Sequence, residues 1–81
     1  IRVQYLLDPI IMDLSPTDME IATRNIDLFE RYGFIVEAFG HKNISVRGLP
    51  NTFGRPESER FIYELIDKFS DLEKASKRDK G

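Results

Sequence analysis

The single histidine of this chain, His41, stands beside Lys42 between two extended segments, and there is no cysteine. A metal site needs several ligands converging on one point, and neither His-x-x-x-His nor Glu-x-x-His occurs in the sequence. His41 therefore reads as a solvated turn residue. Serine nucleophiles need a base and a residue that orients it. Ser15 is taken up as a helix cap, and Ser45 falls inside a strand with no second histidine to complete a triad. The glycines form neither a Gly-x-Gly-x-x-Gly turn nor a lysine-ended phosphate loop. Asp8 with Asp13, and Asp67 with Asp71, are carboxylate pairs on solvated surfaces, whereas acid–base chemistry needs burial to shift one pKa away from the other. Asn43-Ile44-Ser45 matches the glycosylation acceptor pattern, but no secretory signal accompanies it. No catalytic, metal-binding or cofactor-binding set is left, and the chain reads as a small non-catalytic binding module.

One short constellation could do binding chemistry. Gln4-Tyr5-Leu6-Leu7-Asp8-Pro9 fits the pattern Gln-x-Leu-x-x-Pro. In an extended segment, alternation sends Gln4 and Leu6 to one side and Val3, Tyr5 and Leu7 to the other. A glutamine amide both donates and accepts, so it can pair with a partner's backbone, while Leu6 can fill a pocket and Pro9 stiffens the chain after it. Extended segments of this kind dock in grooves of other proteins. The competing reading is a plain strand whose Leu6 packs inward.

Positioning that segment is the task of a small set of elements. Residues 3–14 read as extended, broken at Pro9, with Ile10, Met12 and Leu14 alternating against Ile11 and Asp13. Ser15 as N-cap, Pro16 at the first helical position and Asp18 in the first turn start a helix that Gly33 ends as a left-handed cap. Met19, Ala22, Ile26 and Phe29 make one stripe on it, and Ile21, Leu28 and Tyr32 a second beside it. Phe34–Phe39 and Asn43–Leu49 read as a hairpin around Gly40-His41-Lys42, and Gly48 to Pro56 as a Gly- and Pro-rich loop. A second helix is expected from about Pro56 to Phe69, with Phe61, Ile62, Leu65, Ile66, Phe69 and Leu72 on one face. The fold class is α+β: a small two-layer sandwich of two amphipathic helices on a three-stranded sheet, in the order β-α-β-β-α. Residues 1–72 form the module, and 73–81 a charged tail, frayed or a linker.

Composition sets the outer bounds. With 81 residues, 41% hydrophobic and 32% charged, the chain is at most one small domain. A net charge of -2 is not that of a dedicated DNA-binding domain, whose affinity rests on neutralising phosphates. At most the basic tail of Lys74, Lys77, Arg78 and Lys80 touches DNA weakly. No apolar run approaches the ~20 residues of a membrane-spanning helix, so no membrane partner is expected. The lack of cysteine and of a signal segment fits a cytoplasmic setting. The first residue is not Met and strand residues come almost at once, so a piece of a longer protein is expected.

Three phrases, in this order and spacing, carry a resemblance: Leu14-Ser15-Pro16, then Tyr32-Gly33-Phe34-Ile35-Val36-Glu37-Ala38-Phe39-Gly40, then Val46-Arg47-Gly48-Leu49-Pro50. Together they resemble the regulatory, or external, subdomain of the C-terminal region of the MutL family of DNA mismatch-repair proteins, over roughly residues 2–69. Ala38 departs from the proline common there, and Asn51-Thr52 from a more apolar pair. The resemblance implies a non-catalytic regulatory module inserted into a dimerisation subdomain. It also implies that Gln4, Leu6 and Pro9, with Tyr5 and Leu7 between them, bind the DNA polymerase processivity sliding clamp. The family's endonuclease motifs, an Asp-Gln-His-Ala-type helix with a downstream Glu and later Cys- and His-bearing segments, do not occur in this chain. Its ATPase domain and dimerisation subdomain lie outside as well. The expected parent is a metal-dependent nicking endonuclease of the bacterial cytoplasm, associated with the nucleoid through its partners. The alternative function is structural: the module braces the dimerisation subdomain, with Ile21, Leu28 and Tyr32 as an exposed contact surface.

Overall fold

The computed structural model describes residues 2–51 and 54–79. Its elements are β1 (Val3–Asp13), α1 (Pro16–Arg24), α2 (Ile26–Arg31), β2 (Ile35–Phe39), β3 (Asn43–Pro50) and α3 (Arg55–Asp79). The three strands form one antiparallel sheet in the order β1-β3-β2, so both β1 and β2 are edge strands. The helices pack on it to give the expected α+β arrangement, with one change: the first helix is two.

Helix α1 starts where the cap chemistry placed it. The Asp18 amide donates to the Ser15 hydroxyl at 3.1 Å, and Pro16 occupies the first turn, where no amide is needed. The end of α2 is a Schellman turn. The Phe34 amide reaches back to the Phe29 carbonyl and the Gly33 amide to the Glu30 carbonyl, both at 2.9 Å, while Gly33 has φ 91°. Between the two helices the chain breaks at Asn25, which leaves helical geometry with φ -122° and ψ 30°. Its side-chain amide donates to the Ile21 carbonyl at 2.7 Å and to Glu73 of α3 at 3.1 Å. Short polar side chains offer the backbone a local alternative to helix, and here a distant carboxylate holds that alternative in place.

The core lies between sheet and helices. Phe29, Phe34, Ile44, Val46, Ile62, Ile66 and Phe69 are fully buried. Phe29 and Phe69 meet edge to face with centroids 5.0 Å apart, joining α2 to α3. Phe34 faces Phe61 at 5.8 Å, and the Lys68 ammonium lies over the Tyr32 ring at 5.5 Å.

Helix α3 extends beyond the expected Pro56–Phe69. At 25 residues it is about 37 Å long, taking ~1.5 Å per residue. The charged segment from Glu73, expected to be frayed or a linker, is helical as far as Asp79. Leu72, placed by spacing on the buried face, is instead 53% exposed. The inward position at the end of the helix goes to Glu73, the next member of the series Ile62, Ile66, Phe69. Strand β3 also runs two residues past Gly48, so the Gly- and Pro-rich loop is shorter than expected; its Thr52 and Phe53 lie outside the described residues, as do Lys80 and Gly81 of the tail.

Candidate partner-binding segment

The segment Gln4–Pro9 lies on β1, a strand with a free edge. Its pairing with β3 is interrupted in its middle. Val3, Gln4 and Tyr5 pair with Pro50, Leu49 and Gly48, and pairing resumes with Ile10 opposite Val46 and continues to Asp13 opposite Asn43. Leu6, Leu7, Asp8 and Pro9 therefore stand opposite Arg47 alone, a surplus of three residues that must leave the ladder. Pro9 belongs there, since a proline has no amide to give to a ladder and is tolerated at edges and bulges.

Arg47 is also the pivot on the other side of β3. Ile35 pairs with Gly48 and Val36 with Val46, so on this side Arg47 is itself the surplus residue. That extra residue resets the alternation of β3, and both Val46 and Leu49, at odd separation, point into the core. Gly48 is then turned to the opposite face, between Tyr5 and Ile35. A Cβ there would lie 2.8 Å from Val3 Cγ1 and 2.9 Å from Ile35 Cγ1.

The side chains of the segment divide as alternation requires. Gln4, Leu6, Asp8 and Ile10 line one shallow cavity of about 310 Å³, together with Leu49, Gly54 and Arg55. Leu6 is half-buried against the module's own core. Tyr5 and Leu7 are on the other side; Leu7 is fully exposed and Tyr5 71% exposed. Gln4 is exposed at the mouth of its cavity, and Pro9 is half-buried. Of the two readings of Leu6 that the sequence left open, the inward-packing one describes its place in the free chain, while its neighbour Leu7 faces water.

The other candidate residues take structural or solvated places. His41 is exposed in the turn between β2 and β3, and Ser15 caps α1. Ser45 is buried within β3. Among the described residues no group of three or more His, Cys, Asp or Glu side chains could hold a metal ion, and no helix is long and apolar enough to cross a membrane. The surface expected at Ile21, Leu28 and Tyr32 is not an exposed one. Ile21 is buried, and Leu28 and Tyr32 pack against the same core. The break at Asn25 turns both stripes of the split helix toward the sheet and α3.

A polar junction that the sequence did not disclose ties α3 to the corner between α1 and α2. Arg24 donates to Glu73 through Nη2 at 2.9 Å and Nε at 3.3 Å, and Asn25 adds a third bond. The only signal was the helical spacing of Glu73 from Ile66 and Phe69. Hydrogen bonds from Arg24 first, and from Asn25 next, hold the Glu73 carboxyl below the usual carboxylate range, and the Arg24 guanidinium is held more firmly protonated. A carboxyl whose pKa falls on folding contributes stability at pH values above its unfolded pKa, near 4.3, and loses it as the pH drops through the folded value. The melting temperatures of the wild type and Glu73→Gln are therefore expected to differ near neutral pH and to converge as the pH falls through the lowered value of the folded Glu73. The gap should shrink with added salt, since the pair is solvated. A gap that persists unchanged into acid would show that Glu73 acts through something other than its charge.

Comparison with known proteins shows which family the chain belongs to. Residues 1–80 match the family described as MutL C terminal dimerisation domain. The chain is 29% identical over 77 residues to the DNA mismatch repair protein MutL of Thermoanaerobacter pseudethanolicus, covering 95% of this chain and 12% of that protein. It is 32% identical over 69 residues to MutL of Caldanaerobacter subterraneus subsp. tengcongensis, covering 85% and 12%. With MutL of Clostridium botulinum strain 657 the identity is 35% over 63 residues, covering 78% and 10%. The chain thus spans about a tenth of the length of these relatives. No solved structure matches it. With a family match running over nearly its whole length, the chain belongs to the MutL C-terminal dimerisation domain family.

Proposed function

We propose that this chain is the regulatory module of a MutL-type mismatch-repair protein, and that Gln4–Pro9 docks on the DNA polymerase processivity sliding clamp. In this reading the module carries no chemistry of its own. It positions the nicking endonuclease of its parent on replicated DNA, in the bacterial cytoplasm. Pairing with a second MutL subunit belongs to the same reading, through the dimerisation subdomain to which the module attaches.

The observation that supports it is the surplus stretch on β1. A Gln-x-Leu-x-x-Pro sequence starts in the paired part of an edge strand and runs into its bulge, where Leu7 is fully exposed beside a largely exposed Tyr5. Solvent-facing leucines are ordinary one at a time. A leucine on the bulge and a tyrosine at its paired edge, beside an exposed glutamine, offer a groove apolar anchors and amide pairing at once. The bracing alternative has lost its expected contact surface, because Ile21, Leu28 and Tyr32 serve the module's own core.

Titration of the chain against a bacterial sliding clamp, by calorimetry or NMR shifts, tests the proposal. So small an epitope should give a dissociation constant between about 1 mM and 1 μM, roughly 4–8 kcal/mol. Binding should be saturable and should disappear in the Gln4→Ala/Pro9→Ala double variant while the fold remains. Absence of binding at millimolar concentration would overturn the clamp reading.

A further inference from the structure

We propose that the last turns of α3, residues 70–79, form a strap that opens and closes as one unit, and that Asn25 ties its closure to the break between α1 and α2.

Three observations carry it. First, α3 is held in two different ways along its length. Up to Phe69 the core holds it, through Ile62, Leu65, Ile66 and Phe69. The Tyr63 hydroxyl on the Asp13 carbonyl at 3.2 Å and the Lys68 ammonium over Tyr32 add to that hold. From Ser70 to Lys77 no side chain is buried, and Leu72 faces water. Second, among the described residues the hydrogen bonds that tie this stretch to another element all end on one side chain, Glu73. Arg24 donates to one carboxylate oxygen through Nη2 and to the other through Nε, and Asn25 adds its amide to the second. Third, the Asn25 amide gives its other hydrogen to the Ile21 carbonyl at 2.7 Å. In a continuous helix that carbonyl would take the Asn25 backbone N–H, which here goes to the Ala22 carbonyl at 3.1 Å. One side-chain amide thus fills the gap left by the break and clasps the strap.

Segments with few buried apolar contacts open without the rest of the fold. The clasp on this one lies in a solvated cleft lined by Glu20, Arg24, Glu73, Ser76 and Lys77, where an ion pair is weak. Closed, it fixes the heading of about 15 Å of helix, at ~1.5 Å per residue. Open, it leaves Asn25 without the partner that secures its φ of -122°, and the corner relaxes toward one helix over residues 16–31.

Native-state amide exchange on the whole chain, followed by NMR together with Cα and carbonyl shifts, tests the proposal. In the wild type the amides of residues 73–77 should exchange together, about tenfold or more faster than those of residues 62–69, and with little dependence on urea. Glu73→Lys sets a cation against Arg24. It should abolish protection in the strap, keep it over residues 62–69, and move the shifts of Arg24, Asn25 and Ile26 toward helical values. Exchanging the charges, with Arg24→Glu beside Glu73→Lys, should restore protection in the strap. Glu73→Gln, which sets no like charge against Arg24, should speed exchange in the strap by about threefold.

Protection that fades residue by residue toward Asp79, and ignores the residue at 73, would mean ordinary fraying and overturn the strap. A Glu73→Lys chain that loses protection everywhere at once would overturn it too, since the strap would then have no opening of its own. Opening of the strap with the Asn25 signals unmoved would overturn its tie to the break.

Discussion

Phe69→Ala is expected to remove most of the stability of the chain and bring it to the edge of unfolding at room temperature. Phe69 is buried between α2 and α3, edge to face with Phe29 at 5.0 Å and tilted against Tyr32 at 6.1 Å. Truncating a buried phenylalanine costs about 3–5 kcal/mol, in lost transfer energy plus the cavity left behind. A small domain's entire stability begins near about 5 kcal/mol. The position also joins two elements that are distant in sequence, so the cavity cannot be closed by a local shift. Urea denaturation monitored by circular dichroism gives the answer, and Phe69→Leu, which retains most of the volume, should fall between. A cost under about 1 kcal/mol would mean that α3 does not pack on α2 as described.

Gly48→Ala should destabilise by about 1–3 kcal/mol, the range for overpacking a well-filled site. The added methyl would lie 2.8 Å from one branch of Val3 and 2.9 Å from one branch of Ile35. Both neighbours belong to strands fixed by pairing to β3, so neither withdraws without loosening its ladder. Gly40→Ala is an instructive control, since nothing lies within 4 Å there and its only strain is a φ of 78°. The effect should also be polar in space. NMR shifts should move for Val3–Leu7 and Ile35, and hardly at all for Met12 or Ile44 at the far end of the sheet. A neutral Gly48→Ala with unmoved Val3 and Ile35 signals would refute the close approach.

How far the fold could be read from the chain depended on whether its determinants were local. Ser15, Pro16 and Gly33 act within a few residues of themselves, and the helix ends they mark are where the structure has them. The hairpin, the three strands and the apolar face of α3 up to Phe69 are likewise local patterns. The break at Asn25 is not local, because the carboxylate that secures it lies 48 residues away. The same pairing hid the length of α3: an inward glutamate breaks the apolar stripe, and the rest reads as patternless charge until Arg24 is placed opposite it. Alternation in Val3–Leu7 correctly separated Gln4 and Leu6 from Tyr5 and Leu7. It could not tell which leucine is solvated, since the register on both sides of Arg47 decides that.

The bulge of β1 also separates what the chain must inherit from what it is free to vary. Because Leu6–Pro9 stand outside both stretches of ladder, a replacement at Leu7 or Asp8 changes neither the register nor the face on which Ile10, Met12 and Leu14 arrive. A one-residue slip elsewhere in a strand would turn its whole apolar set to the wrong side. Here such a slip is absorbed in a bulge that already holds surplus residues. The outward side chains of the bulge can therefore vary, or be exchanged by grafting, on a scaffold that stays as it is, and the constraint falls on Leu6, the member of the bulge that the scaffold itself uses.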